Sequence, residues 1–262
     1  MPPGEDRPRS RTIPWAATSG EEWRRLPYFT ARKMAEVDRL VVEEYGIGLL
    51  QMMENAGRCL AHLARDRFLG GDVRAARVTV LAGSGGNGGG ALAAARRLQA
   101  WGAEVTVHLS HAGSHLSAAA ARQLETLVRM DVRREDPVAL WAAPTPDLVV
   151  DGLLGYGLSG APRGAAATMI RWANGRPVPV LALDVPSGVD ATTGTVHTPA
   201  VGACATLTLA APKLGFLEPG ALGRAGELYL ADIGVPWEAF RRAGLVTGPL
   251  PAFSRSDIVR IG

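Results

Sequence analysis

Between Thr30 and Gly46 the apolar residues Met34, Val37, Leu40 and Val41 recur at intervals of three and four, the spacing of one helix face. Thr30 supplies a hydroxyl suited to an N-cap, and Gly46 and Gly48 end the pattern. Met52, Met53, Ala56, Leu60, Leu63 and Ala64 repeat it and predict a second helix from about Leu49 to Phe68. From Arg77 onward short β-branched runs alternate with helical segments. Strands are predicted at Arg77 to Ala82, Glu104 to Leu109, Asp147 to Asp151, Val178 to Asp184, Ala205 to Ala210 and Glu227 to Ala231, with helices at Ala91 to Trp101, Leu116 to Met130 and Ala165 to Ala173. Several strands are apolar on both faces, which implies a mostly parallel sheet covered on both sides. The pattern predicts a doubly wound α/β domain entered through two helices. Residues 1–26 read as a polar leader, residues 27–240 as the domain, and residues 241–262, with Pro249, Pro251 and no strong period, as a peripheral tail.

Composition adds boundaries rather than detail. With 262 residues, 47% of them hydrophobic and 20% charged, the chain suits one principal globular domain. Its longest apolar runs, Val78 to Ala82 and Val178 to Leu183, stop far short of the ~20 residues a bilayer span needs. The leader has no apolar signal core, so a cytoplasmic location is expected. A net charge of +3, dispersed along the chain, calls for neither a nucleic acid nor a membrane partner. Two cysteines far apart, Cys59 and Cys204, build neither a disulfide framework nor a zinc site. His108, His111 and His115 have no companion carboxylate and read as a solvated loop. Among 28 basic residues only Lys33 and Lys213 are lysine, which marks them as positions where a compact ammonium is preferred to a guanidinium.

In such sheets ligands bind beyond the carboxyl ends of the strands. The first loop there, Gly83-Ser84-Gly85-Gly86-Asn87-Gly88-Gly89-Gly90, contains a G-x-G-x-x-G string suited to holding a phosphate on backbone amides. A dehydrogenase would carry a ribose-binding acid at the end of the second strand, whereas this one ends Val107-His108-Leu109-Ser110. Asp151 and Asp184 stand at strand ends, where two carboxylates would repel and a cation would relieve the repulsion. Pro186 and Gly188 bend the chain after Asp184, a carboxyl placed for proton transfer. Lys213, just past another strand, is placed to stabilise negative charge.

These segments, taken in order, resemble the NAD(P)H-hydrate epimerase family, the YjeF N-terminal domain. The resemblance runs from about Tyr28 to Trp237 through Met53-Glu54-Asn55-Ala56-Gly57-Arg58, Asp151-Gly152-Leu153-Leu154-Gly155-Tyr156-Gly157-Leu158, Leu183-Asp184-Val185-Pro186-Ser187-Gly188-Val189-Asp190, Ala211-Pro212-Lys213-Leu214-Gly215 and the stretch from Gly226 to Pro236. It implies a Rossmann-like three-layer α/β/α sandwich, commonly a homodimer, that interconverts the S and R forms of hydrated NADH or NADPH at nicotinamide ring carbon 6. It further implies Asp184 and Lys213 as catalytic residues. The nucleotide would contact Gly86, Asn87, Gly88, Gly89 and Gly90, then Gly155, Tyr156, Gly157, Leu158, Ser159, Gly160 and Ala161, and Asp184. A potassium ion would fall to Asn87, Asp151 and Ser187. The family's glycine loop usually reads Asn-Asn-Gly-Gly-Asp-Gly; here Gly86, Gly90 and Ala91 replace its first, fifth and sixth residues. One amide and one carboxylate are therefore missing, and weaker cation or nucleotide binding is the expected consequence. The alternative that this substitution raises is a catalytically weakened nucleotide-binding or protein-interaction module of the same fold.

Overall fold

The computed structural model describes residues 26–111, 113–244 and 253–262. The first 25 residues of the leader and part of the tail lie outside the described residues. Two helices open the domain, α1 (Ala31–Glu43) and α2 (Leu49–Leu63), the latter continuing to Phe68 as a π-turn. Thr30 caps α1 by accepting a bond from the Lys33 amide, and Met34, Val37, Leu40 and Val41 are its buried face.

The rest follows as β1 (Arg77–Ala82), α3 (Gly86–Ala100), β2 (Glu104–Leu109), α4 (Ala118–Arg129), β3 (Arg133–Glu135), β4 (Leu148–Gly152), α5 (Gly164–Asn174), β5 (Val180–Leu183), β6 (Ala205–Leu209), α6 (Pro219–Ala225), β7 (Glu227–Ala231), α7 (Trp237–Arg242) and β8 (Ile258–Arg260). The strands form one sheet in the order β3-β2-β1-β4-β5-β6-β7-β8, parallel throughout except for β8. Val78, Val80 and Ala82 of β1 pack into the core shared with α1, α2 and α3. Leu81 and Val149 pack into the separate core beneath α5, with Met169, Ile170 and Trp172. That alternation makes the three-layer α/β/α sandwich.

The chain winds outward from β1 in one direction, returns to β4 and winds the other way, so the crevice at β1 and β4 is the topological switch point. Ala82 pairs with Leu109 and Gly152, Asp151 with Ala182, and Leu183 with Leu207. The ends of five strands are thereby level, and their loops leave from one edge of the sheet.

The structure adds β3, α6 and α7, which the pattern read along the chain did not predict, and differs from it at the glycine run and in the tail. The glycine run is helix rather than loop from Gly86 onward, with Gly88, Gly89 and Gly90 wedged where no side chain fits. A Cβ on Gly88 would lie 1.9 Å from the Gly83 carbonyl oxygen, one on Gly89 2.5 Å from the Met53 sulfur, and one on Gly90 2.9 Å from a Leu183 methyl. Packing overrides the poor helix propensity of glycine. The tail, expected to be peripheral, supplies β8 as an antiparallel edge strand on β7, with Ile258, Val259 and Ile261 buried.

Candidate active site

Two adjacent strands end in matching tight corners. Asp184 after β5 has φ +65° and Ala210 after β6 has φ +61°, and each corner is closed by a bond across one residue, Val185 N–H to Leu183 O at 2.8 Å and Ala211 N–H to Leu209 O at 2.6 Å. Left-handed conformations at non-glycine residues are unfavourable and persist where surrounding structure over-determines them. Here they turn the Asp184 carboxylate and the Lys213 chain toward one another.

Lys213 Nζ forms an ion pair with Asp184 Oδ1. The same ammonium donates to Leu209 O at 2.8 Å, Ala211 O at 3.0 Å and Thr208 Oγ1 at 3.2 Å. Four acceptors thus meet three hydrogens, and the group is pinned; Lys213 is 1% and Asp184 4% exposed. Asp184 accepts further bonds from the Leu209 amide at 3.3 Å and, on Oδ2, from the Tyr156 amide at 3.4 Å. The Lys213 backbone is fixed from outside the sheet by a short parallel bridge with Phe29: Phe29 N–H reaches Pro212 O and Leu214 N–H reaches Phe29 O. This bridge leads directly into α1.

Asp151 is fully buried one strand away. Its oxygens accept from Ser187 Oγ at 2.6 Å, Ser187 N–H at 2.8 Å and Leu153 N–H at 3.2 Å, while Ser187 Oγ accepts from the Leu154 amide at 2.9 Å. Burial pushes the Asp151 carboxyl up to about 6, against the opposing pull of the Ser187 hydroxyl and amide. The anticipated repulsion between Asp151 and Asp184 is relieved on the Asp184 side by a cation of the chain itself. Lys213 neutralises Asp184 directly, and neutral donors hold Asp151.

Asn87, in the first turn of α3, packs against the Gly155 segment. A Cβ on Gly155 would lie 3.3 Å from Asn87 Cβ and Cγ and 3.4 Å from Asp184 Oδ2. Both polar atoms of the Asn87 amide are buried without a partner, so a donor and an acceptor await a group that answers them. The N-cap of α3 is Gly85, which has no side chain to cap the first-turn amides.

Asn87, Asp184 and Lys213 face a cavity of about 500 Å³, whereas Asp151 and Ser187 are buried behind its wall and do not line it. Met34, Met52, Met53, Leu153, Leu154 and Ile233 contribute apolar wall; Asp38, Asn87, Tyr156, Asp184 and Lys213 contribute polar groups; Ser84, Gly85 and Gly86 bring the α3 N-terminus to it. Gly155, Gly157 and Leu158 also face it. Gly88, Gly89 and Gly90 do not: they are consumed by helix packing. Ser159, Gly160 and Ala161 lie exposed, beyond the part of the loop that meets the cavity. Position 90, where a carboxylate is missing relative to the resembled pattern, looks toward Leu183 and Ala56, and Ala91 occupies space left by Gly152, on which a Cβ would come within 2.3 Å of the Ala91 methyl.

One group escaped the reading of the sequence. Asp38 of α1 accepts a 2.5 Å hydrogen bond from the Tyr156 hydroxyl. Burial raises the Asp38 carboxyl above its ordinary value, and burial together with the Asp38 charge raises the Tyr156 phenol. The available signal was positional: Asp38 is four residues after Met34 and adjoins Val37, an acid on the rim of an apolar stripe.

A parallel sheet with a ligand-sized crevice at its switch point, an open helix N-terminus and a buried acid–amine pair define a small-molecule site on an α/β scaffold. The model of the YjeF-related protein N-terminus matches residues 49–215. The chain is 46% identical over 216 residues to an NAD(P)H-hydrate epimerase of Dehalogenimonas lykanthroporepellens, covering 82% of this chain and 85% of that one. It is 36% identical to an NAD(P)H-hydrate epimerase of Rhodopirellula baltica, covering 83% and 88%. A bifunctional NAD(P)H-hydrate repair enzyme of Salinibacter ruber is 39% identical over 80% of this chain but only 41% of its own length. A yeast crystal structure superposes with a TM-score of 0.72 at 21% identity, covering 90% of this chain and all of that one, a likeness of fold. The chain belongs to the YjeF N-terminal family.

Proposed function

We propose that the chain epimerises hydrated NADH and NADPH at nicotinamide ring carbon 6, a repair reaction on a damaged cofactor. The observation that carries this reading is the buried Asp184–Lys213 pair on the wall of a cavity that also receives the amide-rich N-terminus of α3. A dinucleotide phosphate is suited to that helix end, and the apolar methionine-rich wall is suited to a flat ring.

Inversion at carbon 6 proceeds by loss and return of the hydroxyl through a planar iminium, to which water adds on either face. Asp184 is the proton-transfer group. Its second oxygen, held only by the Tyr156 amide at 3.4 Å, is the one directed at substrate, and Lys213 fixes its orientation. A carboxylate beside the ring also stabilises the cation that forms there.

Asn87, Asp151 and Ser187 would hold a potassium ion. The unpartnered Asn87 amide and a donor set of one carboxylate with neutral oxygens suit a monovalent hard cation. Among the described residues no cluster of three His, Cys, Asp or Glu side chains offers a transition-metal site. Bound there, the ion would supply a fixed positive charge near the substrate's anionic groups. No helix of the described residues is long and apolar enough to cross a membrane. A cytoplasmic homodimer is the assembly that the resemblance suggests, and light scattering on the purified protein tests the dimer.

Purified protein incubated with the S epimer is expected to generate the R epimer far faster than the spontaneous reaction, with one solvent ¹⁸O incorporated per inversion. D184N is expected to lower kcat by about 10²–10⁴-fold. Conversion at the spontaneous rate by the unaltered protein rejects the reading.

A further inference from the structure

The reaction needs two proton events, one on the departing hydroxyl and one on the incoming water, and these occur on opposite faces of the ring. Asp184 supplies one carboxylate, and every hydrogen of its Lys213 partner is already engaged, so Lys213 has none to give without breaking the pair. A second acid is present in the same cavity. Asp38 comes from α1, a different wall from the strand ends that carry Asp184 and Lys213. The two carboxyls are tied to opposite ends of one residue: the Tyr156 amide bonds Asp184 Oδ2, and the Tyr156 hydroxyl bonds Asp38 Oδ2. Tyr156 thus links the two carboxyls along the cavity lining, and they are close enough for the charges of Asp184 and Lys213 to act on Asp38.

We infer that Asp38, through a proton on its own carboxyl, is a second catalytic acid–base of the epimerisation, working from α1 while Asp184 works from the strand ends. This rests on the epimerase reading above. On one stroke the Asp38 carboxyl, oriented by the Tyr156 hydroxyl, gives its proton to the carbon 6 hydroxyl as the C–O bond breaks with its electrons on oxygen; water departs, and the ring nitrogen lone pair forms the C=N bond of the iminium. Water then bonds carbon 6 from the other face, the nitrogen regains its lone pair, and Asp184 takes the surplus proton. The reverse inversion exchanges the two roles, and exchange with solvent returns the proton between turnovers. The environments of the two carboxyls differ as such roles require. Asp184 has an ammonium against it, while Asp38 has a phenol and a desolvating wall that favours its protonated form.

The test is steady-state kinetics in both directions on D38N, D38E, Y156F and the D38N/Y156F double variant, with melting temperatures measured in parallel. D38N is expected to lower kcat at least 100-fold with KM within about twofold, and D38E to recover at least a tenth of the loss. Y156F, which leaves the carboxyl in place, is expected to lose about tenfold, and the double variant no more than D38N alone, because the two groups act as one unit. Unchanged kcat in D38N, or a rise in KM alone, overturns the role of Asp38 while leaving the epimerase reading intact. Absence of turnover by the unaltered protein removes both. If D38N melts too early to assay, D38E and Y156F still decide: kcat unchanged in both overturns the proposal.

Discussion

A single buried ion pair at the junction of two strained corners dominates the chemistry of individual residues. Breaking a buried pair by removing one partner leaves an uncompensated charge, typically at a cost of about 3–5 kcal/mol. D184N and K213M are each expected to lose stability of that order in urea unfolding, whereas the double variant D184N/K213M is expected to lose clearly less than the sum. Asn is the proper replacement for Asp184, since it tolerates the left-handed backbone that the corner imposes. Additive losses would mean that the two side chains do not share their energy. Asp184, Lys213, Asp151 and Ser187 were legible because each is a polar residue within a few positions of an apolar strand's end. Asp38 was not, because its partner Tyr156 lies 118 positions away, and a place on the rim of the apolar stripe does not by itself separate an acid facing a cavity from one facing solvent.

Among the elements, α3 shows how close approach sets composition. A Cβ on Gly57 of α2 would lie 2.5 Å from the Ala93 methyl, 2.7 Å from the Ala94 nitrogen and 2.8 Å from the Gly90 carbonyl oxygen, whereas one on Gly86 would meet nothing within 4 Å. G57A is therefore expected to destabilise by about 1–3 kcal/mol although alanine is the better helix former. G86A is expected to stabilise by about 0.4–1 kcal/mol, and equal responses in thermal melts would refute the packing account. A second junction lies between the π-turn after α2 and β7, where Arg67 donates to both oxygens of Glu227. The Arg67 bond holds the Glu227 carboxyl below its ordinary range. A depressed acid contributes stability above its unfolded pKa, about 4.3, and loses it as pH falls through the folded value. E227Q is expected to differ from the unaltered protein by about 0.5–1 kcal/mol at pH 7, and the difference is expected to close below roughly pH 4. The helical state of Gly86 to Gly90 was hidden from a local reading because propensity argues against it, and the close neighbours that impose it, Met53, Gly83, Ala120 and Leu183, come from outside α3.

For the molecule as a whole, strand–helix alternation was enough to foresee a parallel sheet with covered faces, since that pattern repeats over more than 150 residues. The sheet's two outermost strands, β3 and β8, are three residues each and carry no period to detect. β8 nevertheless closes the β7 edge, and Arg58 of α2 anchors it through an ion pair with Asp257. Deleting residues 253–262 removes the buried Ile258, Val259 and Ile261, each contributing about 1.5–3 kcal/mol of burial at most, and opens an unpaired edge. The truncated protein is expected to melt earlier and to aggregate on warming while its folded fraction keeps its kcat, because β8 contributes no residue to the cavity.

The bridge between Phe29 and Lys213 joins the segment that leads into α1 to the backbone of the buried amine. Tension applied at residue 26, by a tether or a bead attached there, therefore acts three residues before that bridge and is delivered to the loop bearing the ammonium. The carboxyl terminus offers no comparable handle, since it leads into the far margin of the sheet.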